Sequence, residues 1–417
     1  SNTSIMRLRR IGEAAARNAA PPLMCLRRRW PRRLRKSNRS GCHMSRGSRV
    51  LITGGAGFIG SHLADALLER GYRVRVLDNL NAQVHGAASA FPNYLNPEVE
   101  TISGDVRKPA DVNRALTDVE AVFHLAAAVG VGQSMYQIET YTDVNNRGTA
   151  VLLEALLRRP VRKLLVASSM SIYGEGLYRT ASGEERCPLP RSLQKLKAGE
   201  WELTDSNGER LEPVPTPEHK TAVPESIYAL SKYDQEKLCL LFGRAYSLPV
   251  VALRFFNVYG PRQALSNPYT GVLAIFAARF LSDKPPVVFE DGLQQRDFVH
   301  VRDLTRGCVL ALENEKVTHD VINVGSGSAC SVLEVVRKLG QVLGKPHIEP
   351  EICGRYRAGD IRNCFADISR ARELLGYQPR VTLEAGMSEL AGWLEKQASE
   401  DHTEEAAREL TQRGLVA

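Results

Sequence analysis

The octapeptide Thr53-Gly54-Gly55-Ala56-Gly57-Phe58-Ile59-Gly60 follows the apolar run Val50-Leu51-Ile52 and opens an amphipathic stretch over 58–70. It satisfies both G-x-G-x-x-G (55, 57, 60) and G-x-x-G-x-x-G (54, 57, 60). A strand, a tight turn and a helix in that order need glycine where the chain turns, where backbone approaches a pyrophosphate, and where helix meets sheet. The helix N-terminus then offers free N–H groups and a favourable dipole to phosphates. Eighteen residues past Gly60, Asp78 ends a second strand-like run, Val74-Arg75-Val76-Leu77. A carboxylate there accepts from both ribose hydroxyls and repels a 2′-phosphate. Asn79 rather than an arginine follows it, so NAD is expected over NADP.

From Arg49 onward, short β-branched runs alternate with helical patterns, the sequence form of a parallel sheet covered on both faces. Strands are predicted at 50–52, 74–77, 99–102, 121–125, 164–167 and 250–253, and helices near 58–70, 109–117, 139–158 and 226–246. The expected class is α/β, a doubly wound parallel sheet of Rossmann type with a smaller C-terminal α/β substrate domain. Residues 49–255 form the dinucleotide-binding domain in this reading, and 256–400 the second domain, with helices near 271–282 and 331–343. A segment near 299–326 returns to the sheet through Val321-Ile322-Asn323-Val324, and 401–417 is a charged tail. Residues 177–222 break the alternation. They carry no long periodic segment, and Asn207-Gly208 suits a hairpin turn at positive φ, so they read as an inserted flap, functional or mobile.

The net charge of +8 is unevenly placed. Residues 1–48 hold twelve Arg, one Lys and a single acid, Glu13, which leaves the remainder mildly acidic. Arg27-Arg28-Arg29 and Arg32-Arg33 suit a nucleic acid or a transit function, but the leader lacks apolar periodicity and Met44 stands just before the first strand. Disorder of 1–48 is the expectation, with no nucleic-acid partner. No run of eighteen apolar residues occurs, so no membrane helix is expected. The eight cysteines show no C-x-x-C or metal-type grouping with histidine, so reduced, mostly buried thiols and no metal site are expected.

Two further motifs carry chemistry. In Tyr228-Ala229-Leu230-Ser231-Lys232 a spacing of four places phenol and ammonium on one helix face, where the cation lowers the phenol pKa toward use as a proton acceptor. The same helix holds a second such pair, Tyr233 and Lys237, turned by about 140° from the first. Tyr228 opens the helix beside the sheet's carboxyl edge and is preferred. Ser168-Ser169-Met170-Ser171 follows the fifth strand, where a hydroxyl either faces the ligand crevice or caps backbone groups.

Taken with Gly104-Asp105-Val106, His124-Leu125-Ala126-Ala127, Asn145 in Val-Asn-Asn-Arg-Gly-Thr, and Arg254-Phe255-Phe256-Asn257-Val258-Tyr259-Gly260-Pro261, these motifs resemble the extended short-chain dehydrogenase/reductase family, the nucleotide-sugar epimerases and dehydratases, over residues 49–394. The resemblance implies Ser169, Tyr228 and Lys232 as the catalytic set. It implies a cofactor site of Gly54, Gly57, Phe58, Ile59, Gly60, Asp78, Asn79, Asp105, Val106, Leu125, Ala126, Ala127, Asn145, Ser168, Tyr228, Lys232 and Phe255. Substrate contacts are implied at Ser134, Ser169, Asn257, Val272, Arg296 and Arg357, the two arginines presenting planar donors to a diphosphate. Partners implied are a nucleotide-diphosphate sugar and a second copy of the chain, with helices near 139–158 and 226–246 pairing in a cytoplasmic homodimer.

Relatives that dehydrate or decarboxylate the sugar keep an acid in the turn after the fifth strand, where this chain has Met170 and Ser171. C4 epimerisation through a 4-keto intermediate is therefore expected, with 4,6-dehydration or decarboxylation as the alternative and a non-catalytic NAD sensor disfavoured by the intact Tyr/Lys pair. The stretch 267–276 and the flap resemble dTDP-L-rhamnose 4-epimerases, which implies that substrate, or a UDP-hexose, and a place in polysaccharide biosynthesis.

Overall fold

Seven short runs, most of them rich in Val, Leu and Ile, pair into one sheet in the computed structural model of the chain, which describes residues 44–86, 90–263, 271–357, 359–395 and 403–416. They are β1 (Arg49–Thr53), β2 (Arg73–Asp78), β3 (Glu100–Ser103), β4 (Ala121–His124), β5 (Lys163–Ser169), β6 (Val250–Phe255) and β7 (Asp320–Val324). Their order is β7-β6-β5-β4-β1-β2-β3, every neighbouring pair parallel. The return of 320–324 to the sheet agrees with expectation. Strand order reverses between β1 and β4, and in such sheets the crevice at the carboxyl ends takes ligand at that point. The expected leader lies, up to residue 43, outside the described residues.

Side chains alternate across each strand, so each β1 residue chooses a face. Val50 and Ile52 share a buried core with Leu63 and Leu67 of α1 (Phe58–Glu69). Leu51 shares the opposite core with Val122, Leu164 and Ala252. Because both faces are covered, strands read as continuous apolar runs, and each fully buried Leu or Ile contributes roughly 1.5–3 kcal/mol. Two short helices follow alternate strands: α2 (Ala82–His85) after β2, and α4 (Val131–Ser134) after β4, with α3 (Pro109–Ala115) between them in sequence.

The helix expected over 139–158 is present as one continuous helical run that changes type along its length. A turn at Ile138–Tyr141 passes into a π-helix at Thr142–Arg147 and then into α5 (Gly148–Arg158). Gly148 lets this helix approach the loop after β3, since a Cβ there would lie 2.8 Å from Val106 Cγ2. The twenty-residue α6 (Ile227–Tyr246) starts at Ser226, whose side chain accepts from Ala229 N, and ends at Ser247 in the left-handed region. Leu152 and Leu156 of α5 and Cys239 and Leu240 of α6 complete the core beneath Leu51.

Beyond β6, α7 (Val272–Leu281) begins the second lobe, and the chain then forms a strand at Gln295–His300 and α8 (Val301–Glu313). The segment near 299–326 runs through the end of this strand and α8 and reaches the sheet at β7. Leu304, Cys308 and Leu312 of α8 join the α1 core. The second lobe's core is Leu273, Phe276 and Phe280 of α7, Val335 and Leu339 of α9 (Val332–Val342), and Met387 and Leu390 of α10 (Leu383–Leu394). Inside the expected charged tail lies α11 (Thr403–Gln412), and Leu410 packs against Gly132.

The insert has short elements, which is why no period was readable. Strands Leu177–Arg179, Glu185–Arg186 and Glu212–Val214 form a small sheet, and Thr204 bridges Arg210 around Gly208, at φ +83°. It is pinned to the second lobe. Fully buried Arg362 donates to Glu202 (2.5 Å), Asp291 (2.6 Å) and Glu290 (3.0 Å), and Arg191 pairs with Glu290 at 2.9 Å. Cys239, Cys308 and Cys364 are buried thiols, while Cys187 is exposed.

Candidate active site

The carboxyl ends of β1 to β6 open onto a cavity of about 940 Å³. Its floor is the glycine turn between β1 and α1. Gly54 has φ +70°, and a Cβ there would sit 2.9 Å from the Ala126 backbone. A Cβ on Gly60 would lie 2.4 Å from Gly54 O. Gly57 caps α1 without a side-chain hydrogen bond, so no side chain competes for the first-turn N–H groups. At the end of β2, Asp78 accepts from Ala56 N and Leu80 N, each at 3.0 Å, which aims the carboxylate over the turn.

Beyond Asp78, Asn79 Nδ2 donates to Asp105 Oδ2 at 3.3 Å. Burial alone would raise the Asp105 carboxyl, but hydrogen bonds and charge from Arg107 outweigh it and bring the pKa down to about 2. Asp78 on β2 and Ser169 on β5 are three strand spacings apart, about 14 Å. The cavity thus runs from an acidic end past a phosphate-ready helix to a hydroxyl-rich end, a fit to an extended dinucleotide.

At the hydroxyl-rich end, Ser169 Oγ accepts from Ser171 Oγ at 2.8 Å and Ser171 N at 3.2 Å. With both lone pairs used, its own proton goes to the Tyr228 phenol, with which it is hydrogen-bonded. Burial pushes that phenol above its ordinary value and Ser169 opposes the rise. Ser169 is thus the neighbour whose hydrogen bond opposes burial at this phenol. The Lys232 ammonium donates to Gln235 Oε1 at 2.6 Å, and burial brings its pKa down to about 8.

Gln235 connects Lys232 to the base of the site. Gln235 Nε2 donates to Thr149 Oγ1 at 2.9 Å, and Thr149 Oγ1 donates to Asn145 O at 2.6 Å. Since that hydroxyl proton is committed, His124 Nε2, 2.9 Å from Thr149 Oγ1, must carry a hydrogen. His124 Nδ1 then accepts from Thr53 Oγ1 at 2.8 Å. Burial lowers this imidazole to about 3, so it is neutral. Gln235 lies three residues past Lys232 on the same helix face, a spacing that could have singled it out; Thr53, His124 and Thr149 join it only through the fold.

All expected cofactor residues except Asn145 line the cavity, as do Ser169, Asn257 and Val272. Asn257 Oδ1 is buried without a partner. Tyr233 is off the wall, its ring under Lys237 Nζ at 4.8 Å. Four expected contacts are placed elsewhere. Asn145 is fully buried and braces the site, accepting from Ala128 N at 2.8 Å and donating to Ser231 Oγ at 2.8 Å. Ser134 Oγ accepts from Tyr228 N at 3.0 Å, fixing the start of α6. Arg296 donates to Ile361 O at 2.6 Å, Arg362 O at 2.9 Å and Asp360 Oδ1 at 3.1 Å, because its strand pairs with Asn363–Cys364 beside those groups. Arg357 lies over the Phe289 ring, 4.1 Å from its centroid, and its backbone bridges Val416. No described helix is long and apolar enough to cross a membrane.

The family model described as the NAD dependent epimerase/dehydratase family matches residues 50–196 and 205–325. A dTDP-L-rhamnose 4-epimerase of Burkholderia thailandensis is 35% identical over 357 residues, covering 84% of this chain and 95% of its own length. The crystal structure of UDP-glucose 4-epimerase with UDP-glucose from Thermotoga maritima superposes with TM-score 0.69 at 31% identity, covering 84% of this chain and 99% of that one. The Thermus thermophilus UDP-glucose 4-epimerase complex with NAD gives TM-score 0.67 at 30% identity, over 84% and 100%. With the glycine turn, Asp78 and the Ser169–Tyr228 pair in one cavity, the chain belongs to the NAD-dependent epimerase/dehydratase family.

Proposed function

We propose that the chain inverts C4 of a nucleotide-linked hexose through a 4-keto intermediate. One observation carries the choice of reaction: among the described residues lining the cavity, the only carboxylates are Asp78 and Asp105, at the adenosine end. The nearest acid after β5, Glu175, is buried and used by Arg362 N, Asn363 N and the Tyr178 hydroxyl. Expelling a C6 hydroxyl by dehydration would need a proton donor that this end of the cavity lacks.

In this reading, bound NAD supplies the hydride acceptor and later the donor. Tyr228 removes the C4 hydroxyl proton and returns it, and Ser169 stabilises the phenolate by donating to it. Lys232 lines the cavity with two N–H donors beyond the one given to Gln235, and these would hold the cofactor ribose. Asn257 offers a polar group to the substrate diphosphate. The relative from Burkholderia supports dTDP-L-rhamnose as substrate, with UDP-hexoses next. The product would serve glycosyl transfer into a polysaccharide, and the need for sugar nucleotides as substrate supports a cytoplasmic enzyme.

Leu157 of α5 and Leu230, Leu238 and Leu241 of α6 are exposed by 46%, 47%, 37% and 57%, an apolar face that supports a homodimer. Leu241→Glu should then halve the mass seen by light scattering; a wild-type monomer would refute the dimer. Incubation with dTDP-, UDP- and GDP-hexoses, followed by NMR of the C4 configuration, tests the reaction. C4 inversion with C6 unchanged is expected, and a 6-deoxy-4-keto product from any hexose that carries a C6 hydroxyl would overturn it.

A further inference from the structure

We propose that Gln83 and Gln133 form a clasp that retains the dinucleotide, a reading that rests on the cofactor lying across the glycine turn. Gln83 Nε2 donates to Gln133 Oε1 at 3.0 Å, and Gln133 Nε2 donates to Gln83 Oε1 at 3.1 Å. Both side chains line the cavity. Gln83 belongs to α2, after β2, and Gln133 to α4, after β4. In the sheet β2 and β4 flank β1 on either side, and β1 carries the glycine turn. Joining the two flanking segments therefore closes a ring over the place where a pyrophosphate crosses, and the cofactor leaves only when the amide pair opens.

The pair is oriented by its surroundings. The Tyr141 hydroxyl donates to Gln133 Oε1 at 3.3 Å, while Gln133 Nε2 is turned toward Gln83. Burial raises the Tyr141 phenol above its ordinary value, so it remains a donor. On the other side, Asn81 Oδ1 accepts from Gln83 N at 2.9 Å and fixes the first turn of α2. Two neutral amides add no charge to the phosphate site, so the clasp acts on the exit of the cofactor rather than on its electrostatic attraction.

The clasp and the proposed base share their supports. Ser134, next to Gln133, accepts from Tyr228 N, and the Tyr141 ring meets Tyr228 edge-on, with centroids 6.3 Å apart. An enzyme that regenerates its cofactor within each cycle has no need to exchange it, and this arrangement couples retention of the cofactor to the position of Tyr228.

The test is the rate at which NAD leaves the purified protein when chased with excess 3-acetylpyridine adenine dinucleotide. Gln83→Ala and Gln133→Ala should each release NAD roughly tenfold faster, because each removes both hydrogen bonds. The double variant should be no more than about twofold faster than either single one, since the pair is lost once. Tyr141→Phe keeps the ring against Tyr228 but loses the orienting donor, and should speed release by about threefold. Wild-type release rates in either alanine variant, or a double variant equal to the product of the singles, would overturn the clasp. Recovery of NADP or no dinucleotide from wild-type protein would instead overturn the cofactor placement and the clasp with it.

Discussion

Replacing Tyr228 by Phe deletes one oxygen whose surroundings set the size of the effect. That oxygen accepts from Ser169 and stands at the cavity wall, while the ring stays packed edge-on against Tyr141. The variant should fold with little change, losing a neutral hydrogen bond worth about 1 kcal/mol and thus at most about fivefold in substrate affinity. Turnover loses its proton acceptor. General base catalysis contributes about 10²–10⁴-fold, so kcat should fall at least about 100-fold, a barrier increase of about 3 kcal/mol or more. Tyr233 sits about 140° around the same helix, partly packed into the α1-side core. Tyr233→Phe should leave kcat within about threefold, as for a surface-side substitution worth under about 0.5 kcal/mol. Both variants are assayed for C4 inversion and, by calorimetry, for substrate affinity. A Tyr233→Phe enzyme without turnover beside an active Tyr228→Phe enzyme would refute the assignment of the catalytic face.

Three further outcomes follow from the same geometry. The Lys232 ammonium, brought by burial to about 8, should lose its proton as pH rises through that value, giving kcat an alkaline limb near pH 8; a flat profile to pH 10 would contradict this. Because its folded pKa lies below the unfolded value of about 10.4, the unfolded chain binds more protons between the two, so this group makes stability rise with pH there, and Lys232→Met should remove that slope in urea titrations. Gln235→Leu strands the buried ammonium and should cost about 1–3 kcal/mol in urea unfolding while moving the alkaline limb to lower pH. Gly60→Ala places a Cβ 2.4 Å from Gly54 O, so chromatography of the denatured protein should recover little or no NAD; wild-type content would show that the turn tolerates the methyl.

The parts legible in the chain alone are those whose physics is local. The glycine turn, the seven strands and the Tyr228–Lys232 spacing each depend on neighbours within a few residues, so periodicity and motif disclose them. The insert and its turn at Asn207-Gly208 were legible, but its small sheet and its anchoring escaped, because its elements span only a few residues and Arg362 and Arg191 hold it by reaching distant carboxylates.

The chain by itself determined that a dinucleotide crosses a β1 turn, that Asp78 stands beside it, and that a phenol and an ammonium share one face of α6. What each polar side chain does was decided by which partners the fold brings within hydrogen-bond reach. Arg296 offers planar donors in sequence, and the fold sets the carbonyls of 361 and 362 against them. Asn145 donates to Ser231, Ser134 accepts from Tyr228 N, and Lys232 gives one of its donors to Gln235. A hydrogen-bonding group satisfies whichever complementary group packing places about 3 Å from it. That choice is made between elements far apart in the chain, so no local pattern contains it.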